Sequence, residues 1–227
     1  MRTLKGRDPI ARMTGDRDPR RGRGATRERI LDATLDLFNR RGPDRVTTAE
    51  IARTVEINEG NLYYHFRTKE SLVLALFERF EAAAGALVDR TGAAPRGEAR
   101  VYGEALAEWF SIVWRYRFLF RDLLALAAAT PCLVEPIRSL SARMRVAVEA
   151  LIHRMIAEGF IEVSQEDLSA VLANVWIVST YWAVYLSLQE GIEDLEDTHL
   201  DWGLNQVASL FKPYLTPSAA DAVFSPR

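Results

Sequence analysis

The stretch Asn58 to Lys69, NEGNLYYHFRTK, gathers side chains suited to holding a polyanion and reading base edges, not to making or breaking bonds. At a helical step of about 100° per residue, Leu62 and Phe66 point one way and Gly60, Asn61 and Tyr64 the other. Gly60 lets backbone approach closely, Asn61 carries both donor and acceptor, and the hydroxyls of Tyr63 and Tyr64 together with His65 reach phosphate oxygens. The positive end of the helix favours phosphate as well. Glu59 has two readings, a carboxylate that accepts from a cytosine amino group or one that stabilises the helix N-terminus.

The elements that must position this face are visible in the preceding residues. Thr47 and Glu50 have capping-box spacing and start a helix that buries Ile51, Ala52 and Val55. Glu56 to Asn58 breaks it. Asn58 caps the next helix, with Ile57 and Leu62 at the positions of a hydrophobic staple. Two short helices joined by a tight turn, the second entering a major groove by its N-terminus, form a helix-turn-helix. The alternative, a helical hairpin in a core, fits poorly with a Gly-Asn-x-x-Tyr face. Thr47 and Thr48, at the start of the bracing helix, join Asn58, Glu59, Gly60, Asn61, Tyr63, Tyr64, His65 and Lys69 as candidate DNA-contacting residues.

GNLYYHFRTKESL resembles the recognition helix and following helix start of the tetracycline-repressor (TetR) family of bacterial regulators. The resemblance covers about Thr26 to Leu76. Beyond it the match is one of length and helical pattern, with WRYRFLFRDL similar to a segment of some members' C-terminal domains. It implies that Tyr63, Tyr64, His65 and Lys69 contact phosphates and that Gly60 and Asn61 lie nearest bases. Two residues depart from the family pattern: Glu56 stands where the turn glycine is usual, which strains the turn, and Glu59 occupies a position that is often basic or neutral.

The net charge of −2 hides an asymmetry. Residues 1 to 71 hold sixteen Lys and Arg against eleven Asp and Glu, a net of +5, which leaves −7 for the remainder. Only the basic end suits nucleic acid. No run of about 18 apolar residues is present, and the basic N-terminus lacks the apolar core of a signal peptide, so the expectation is a cytoplasmic protein with no membrane partner. Residues 1–24, rich in Arg, Asp, Gly and Pro, read as a disordered basic arm. Arg20, Arg21 and Arg23 there enter a minor groove, or else the segment is a solvated tail or a start-site extension with Met13 the true start.

The remaining division is 25–71 for the helix-turn-helix domain, 72–216 for a helical ligand-binding and dimerisation domain, and 217–227 for a flexible tail. Thr68 caps a helix from Lys69 to about Arg90, long enough to join both domains. Glu98 to Leu126 reads as two helices dense in rings, which build either a heavy core or an apolar pocket. Arg115, Arg117 and Arg121 among them either meet an anionic ligand or pair with Glu108 or Asp122. Helices from Pro136 to Glu158, from Ser164 to Gln189 and from about Leu200 to Leu215 follow. The stretch Val175 to Leu188 is apolar nearly all round and needs cover on both sides, which points to a second subunit. The candidate pocket residues are Trp109, Phe110, Trp114, Phe118, Asn174, Tyr181 and Tyr185; Ser179 is a further polar candidate. Trp182, Leu204, Val207 and Phe211 are the candidate dimer contacts.

No catalytic or cofactor motif is present, and the three histidines lie far apart. Neither a metal nor a cofactor is expected, a site on His199 with Asp197 or Asp201 being weak, and Cys132 reads as an inert lone thiol. The expectation is an all-α, non-enzymatic homodimer that binds a palindromic double-stranded DNA operator and is released by a small hydrophobic or aromatic effector. An activator with the same DNA contacts, a helical carrier or enzyme using the aromatic cavity, and a protein-binding module remain as alternatives.

Overall fold

A computed structural model of the chain describes residues 19–121, 123–192, 196–217 and 219. Residues 1–18 of the expected arm, most of the expected tail, and Asp122 lie outside the described residues. The described residues form ten α-helices linked by short turns, and the one β-bridge among them joins Ile161 to Leu215. The sequence predicted an all-α fold, and the structure has one.

Helix α1 (Pro19–Arg41) starts earlier than expected, so residues 19–24, read above as part of the arm, are helical. Proline at a first helical position lacks only an N–H that would be orphaned there, and extending a helix already nucleated downstream costs little. The helix buries Ile30, Leu31, Leu35 and Phe38. Thr47 Oγ1 accepts from Glu50 N at 3.2 Å and starts α2 (Thr48–Thr54). Glu50 does not return the bond, because its carboxylate pairs with Arg41.

The turn after α2 is a Schellman closure, with Glu56 N donating to Arg53 O at 3.1 Å and Ile57 N to Ala52 O at 3.0 Å. Glu56 occupies the left-handed position at φ 59°, the strain its departure from glycine led us to expect. Asn58 Oδ1 then accepts from Asn61 N at 2.7 Å and caps α3 (Glu59–His65), whose Leu62 is fully buried.

Helix α4 (Lys69–Ala93) begins on a reciprocal cap between Thr68 and Ser71. Its 25 residues span about 37 Å. Leu72, Val73 and Leu76 close the core of the N-terminal head, while Leu87 and Thr91 are buried in the body.

The body follows as α5 (Arg100–Arg115), the short α6 (Phe118–Arg121) and α7 (Leu123–Ala129), α8 (Val134–Ala157), α9 (Gln165–Gln189) and α10 (Asp197–Phe211). The last helix starts before the expected Leu200, because His199 Nδ1 accepts from Glu196 N at 2.9 Å and fixes the first turn there. That bond gives His199 Nδ1 a structural role at the start of the helix. Gly159 closes α8 at φ 74° as expected, and Ser164 caps α9.

Head and body meet on the Trp114 to Phe120 segment. The Asn39 amide donates to Arg115 O at 2.8 Å while its oxygen accepts from Phe118 N at 3.1 Å. Phe38 packs on Phe118 with ring centroids 5.4 Å apart, and Phe80 of α4 meets Trp109, Tyr116 and Phe120.

Replacing Glu56 with glycine relieves about 1–2 kcal/mol of left-handed strain and adds about 0.5–1 kcal/mol of unfolded-state entropy. Glu56→Gly is therefore expected to raise the melting temperature by a few degrees in a thermal scan. An unchanged or lower midpoint would show that the turn is not strained at this residue.

Candidate nucleic-acid interface and ligand cavity

The outward face of α3 is built by its own caps. Asn58 and Thr47 spend their side-chain oxygens on the starts of α3 and α2, so both position the face and offer it no free acceptor lone pair at those bonds. Glu59, Gly60, Asn61 and Tyr64 are exposed, Tyr64 at 64%. Thr48 Oγ1 and Tyr63 Oη lie 3.0 Å apart and tie α2 to α3 across the surface. His65 is half-buried, edge-on to the Tyr64 ring at 5.3 Å. A Cβ on Gly60 would touch nothing nearer than Asn58 Oδ1 at 3.4 Å, so packing does not require a glycine there. Lys69 sits at the edge of the face, its ammonium donating to Pro43 O at 2.8 Å. Glu59, Gly60, Asn61, Tyr63 and Tyr64 are thus exposed on α3, His65 and Lys69 are half-buried, and Thr47, Thr48 and Asn58 stand at the helix starts.

The body contains a cavity of about 610 Å³ between α4, α5, α8 and α9. Leu87, Val88 and Thr91 line it from α4, Tyr102, Leu106 and Trp109 from α5, Met144, Arg145, Val148 and Leu151 from α8, and Leu172, Val175, Trp176 and Ser179 from α9. Of the seven residues expected to line a pocket, only Trp109 does so. Phe110 turns into the core against Trp182, 6.0 Å between centroids, Trp114 lies beneath the Arg117 guanidinium, and Phe118 belongs to the joint with the head. Asn174, Tyr181 and Tyr185 sit on the exposed face of α9, Tyr185 stacked on Trp202. Neighbouring positions on a helix diverge by about 100°, and here that step turns Phe110 away from the wall that Trp109 lines and Asn174 away from the wall that Val175 lines.

The expected dimer contacts are also displaced. Trp182, Val207 and Phe211 are buried within the chain's own core, and Leu204 packs against them half-buried. Gly203 makes this possible, because a Cβ there would come within 2.7 Å of the Trp182 ring. The apolar side chains that α9 leaves exposed are Ile177, Tyr181, Tyr185 and Leu188, with Leu188 at 74%. Glu108 pairs with Arg90 instead of with the interleaved arginines, and Cys132 is exposed.

One feature escaped the sequence entirely. Tyr102, on the cavity wall, donates to Glu158 Oε2 at 2.9 Å, and Arg154 donates to Glu158 Oε1 at 2.8 Å. The Arg154 guanidinium also donates to the carbonyls of Thr91 (3.2 Å), Ala94 (3.0 Å) and Pro95 (2.8 Å), which gives partners to the C-terminal end of α4. Burial, and then the bond to Glu158, pushes the Tyr102 phenol up to about 12. Burial alone would raise Glu158, but the hydrogen bonds from Arg154, Tyr102 and the Gly97 backbone outweigh it and hold the carboxyl below its usual 4.5.

Two family descriptions match the chain, "Bacterial regulatory proteins, tetR family" over residues 30–76 and "Bacterial transcriptional repressor" (TetR) over residues 78–223. The HTH-type transcriptional regulator QacR of Staphylococcus aureus is 44% identical over 50 residues, which are 22% of this chain and 27% of QacR. A TetR-family transcriptional regulator from Marinobacter aquaeolei VT8 is 34% identical with a TM-score of 0.75, over 87% of this chain and 95% of that one. The SmeT–triclosan complex superposes with a TM-score of 0.65 at 18% identity, over 89% of this chain and 98% of SmeT, a likeness of fold.

Because Glu158 is held below its usual 4.5, its contribution to stability is present above that value and is lost as pH falls through its folded-state value. Wild type is expected to melt above Glu158→Gln at pH 7, with the gap closing as the pH drops below 4.5. A gap that persists in acid would mean that the carboxylate charge does not hold this corner.

Proposed function

The chain belongs to the TetR family of bacterial transcriptional regulators, and on that premise we propose that it is a homodimeric repressor whose paired α3 helices hold a palindromic operator until an effector fills the cavity. The observation that carries this reading is the continuity of α4. Its first turns close the head under α3, and its last turns form a wall of the cavity. A single helix therefore touches both sites. Binding of an effector alters operator affinity only through a difference in its affinity for two arrangements of that helix.

On DNA, Gly60 and Asn61 lie against base edges, and Tyr63, Tyr64, His65 and Lys69 against phosphates, with Thr47, Thr48 and Asn58 holding the helix starts. Lys69 reaches a phosphate by leaving, or sharing, its bond to Pro43 O. The second copy covers the exposed α9 face of Ile177, Tyr181, Tyr185 and Leu188, an apolar stripe that a lone chain leaves in water. Two-fold pairing then sets the recognition helices about 34–36 Å apart, one turn of duplex. The description "Bacterial transcriptional repressor" favours repression over activation, and SmeT in complex with triclosan supports a small-molecule effector for this fold. Tyr102, Glu158 and Arg154 supply a path from the cavity to the end of α4.

The decisive test is selection of bound fragments from random and upstream genomic DNA at two salt concentrations. An enriched palindrome is expected, and sequence-blind, salt-sensitive binding alone would overturn the operator reading. Within an enriched site, Tyr64→Ala is expected to cost about 1.5–3 kcal/mol of affinity for all sequences, the worth of a hydrogen bond to a charged group. If Glu59 reads cytosine, Glu59→Ala relaxes preference at one operator position; tighter binding with unchanged preference across a site library would mark it as a repulsive charge only. Leu188→Glu with Tyr181→Glu is expected to yield monomer by light scattering, and an intact dimer would place the interface elsewhere.

A further inference from the structure

Resting on the cavity as the effector site, we propose that its ligand is an amphiphile with a long apolar body and a carboxylate end held by Arg145. Three hydroxyls on the wall already donate within the chain. Thr91 Oγ1 donates to Leu87 O at 2.9 Å, Ser179 Oγ to Trp176 O at 3.2 Å, and Tyr102 Oη to Glu158 at 2.9 Å. A ligand acceptor placed beside them finds no free hydroxyl proton there and loses its water without replacement, which is costly. The interior therefore accepts an apolar body, and about 610 Å³ is room for a long one.

The rim is different. Arg145 lines the cavity from α8 yet is exposed, and it makes no ion pair or hydrogen bond among the described residues. Its neighbours along the helix have partners of their own: Arg143 pairs with Glu81, and Glu149 lies 4.0 Å from His153. No Asp or Glu lines the cavity, so a cationic end would find no carboxylate there, whereas a planar guanidinium matches a carboxylate in a two-bond fork. Ala142 and Ala173, also exposed at the rim, leave an opening of small side chains beside Arg145 through which a chain can enter end-on. Ile177 belongs both to this rim and to the proposed dimer face, so the entrance runs beside the subunit seam.

Trp109 and Trp176 on the wall make binding readable by intrinsic fluorescence of the full chain without DNA. Titrations would compare myristate, 1-tetradecanol and tetradecyltrimethylammonium, equal in tail and different in end group. Myristate is expected to bind about tenfold more tightly than the alcohol, the advantage shrinking at high salt because Arg145 is exposed. Arg145→Gln should remove that advantage and leave alcohol binding unchanged, and Arg145→Glu should transfer the preference to the ammonium. Equal binding of acid and alcohol by wild type, a preference surviving in Arg145→Gln, or no binding of any of the three overturns the proposal. Operator release is measured separately. Myristate that binds Arg145-dependently without releasing DNA upholds the ligand class and overturns ligand-triggered release; release by the alcohol and acid alike does the opposite.

Discussion

The last carbonyls of an α-helix have no partners within the helix, and in α4 they are supplied from outside by one guanidinium. Arg154 reaches the carbonyls of Thr91, Ala94 and Pro95 from α8, placing a cation at the negative end of a helix about 37 Å long. Glu158 holds that guanidinium in place, and Tyr102 holds Glu158. The far end of the helix that supports the DNA-reading head is thus fixed by a chain of hydrogen bonds whose outermost member is a wall of the cavity. A packed helix of this kind moves as a body, because its interior contacts are close to crystalline density and do not stretch.

A second constraint decides what such a movement can reach. The head is held to the body at two places, through α4 itself and through the Asn39 amide, which both donates and accepts across the joint. The rings of Phe38, Phe80, Tyr116 and Phe118 fill the space between. Under the proposed mechanism, a displacement of the α4 end tilts the head about a packed aromatic joint instead of detaching it. In a symmetric pair, a small tilt in each head changes the separation of two recognition helices, the quantity to which a fixed operator spacing is most sensitive.

What was legible in the sequence were the features set by neighbours in the chain. Thr47, Asn58, Thr68 and Ser164 cap helices through bonds three residues long, and each does so where its spacing predicted. The strained turn at Glu56 was legible for the same reason. Which side of a helix faces a cavity is not a local property. Helix α9 is apolar nearly all round, so periodicity could not choose between Trp182, which is buried, and Tyr181, which is 46% exposed. Tyr181 and Tyr185, expected at the pocket, accordingly lie on the exposed face of α9, and Trp182, expected at a dimer face, lies in the core. Ring content drew attention to Phe110 and Phe118, while the cavity is walled largely by aliphatic side chains of α8 that look like an ordinary amphipathic stripe. Arg154 and Glu158 have the i,i+4 spacing of a helical ion pair, but the bond that joins Tyr102 to them spans 56 positions and left no pattern to read.

The charge distribution of the chain follows from the same division of labour. The head carries the positive excess that duplex DNA demands, and the body carries the compensating acids, yet the cavity wall contains none of them. Excluding carboxylates from a cavity that lies within an acidic body keeps its interior electrically quiet, so that a single exposed cation at the rim, Arg145, sets the sign of what is drawn in. The apolar wall then supplies affinity and the rim supplies discrimination. Because the wall includes the last turns of α4, a ligand bound there as proposed contacts the helix that leads to the head.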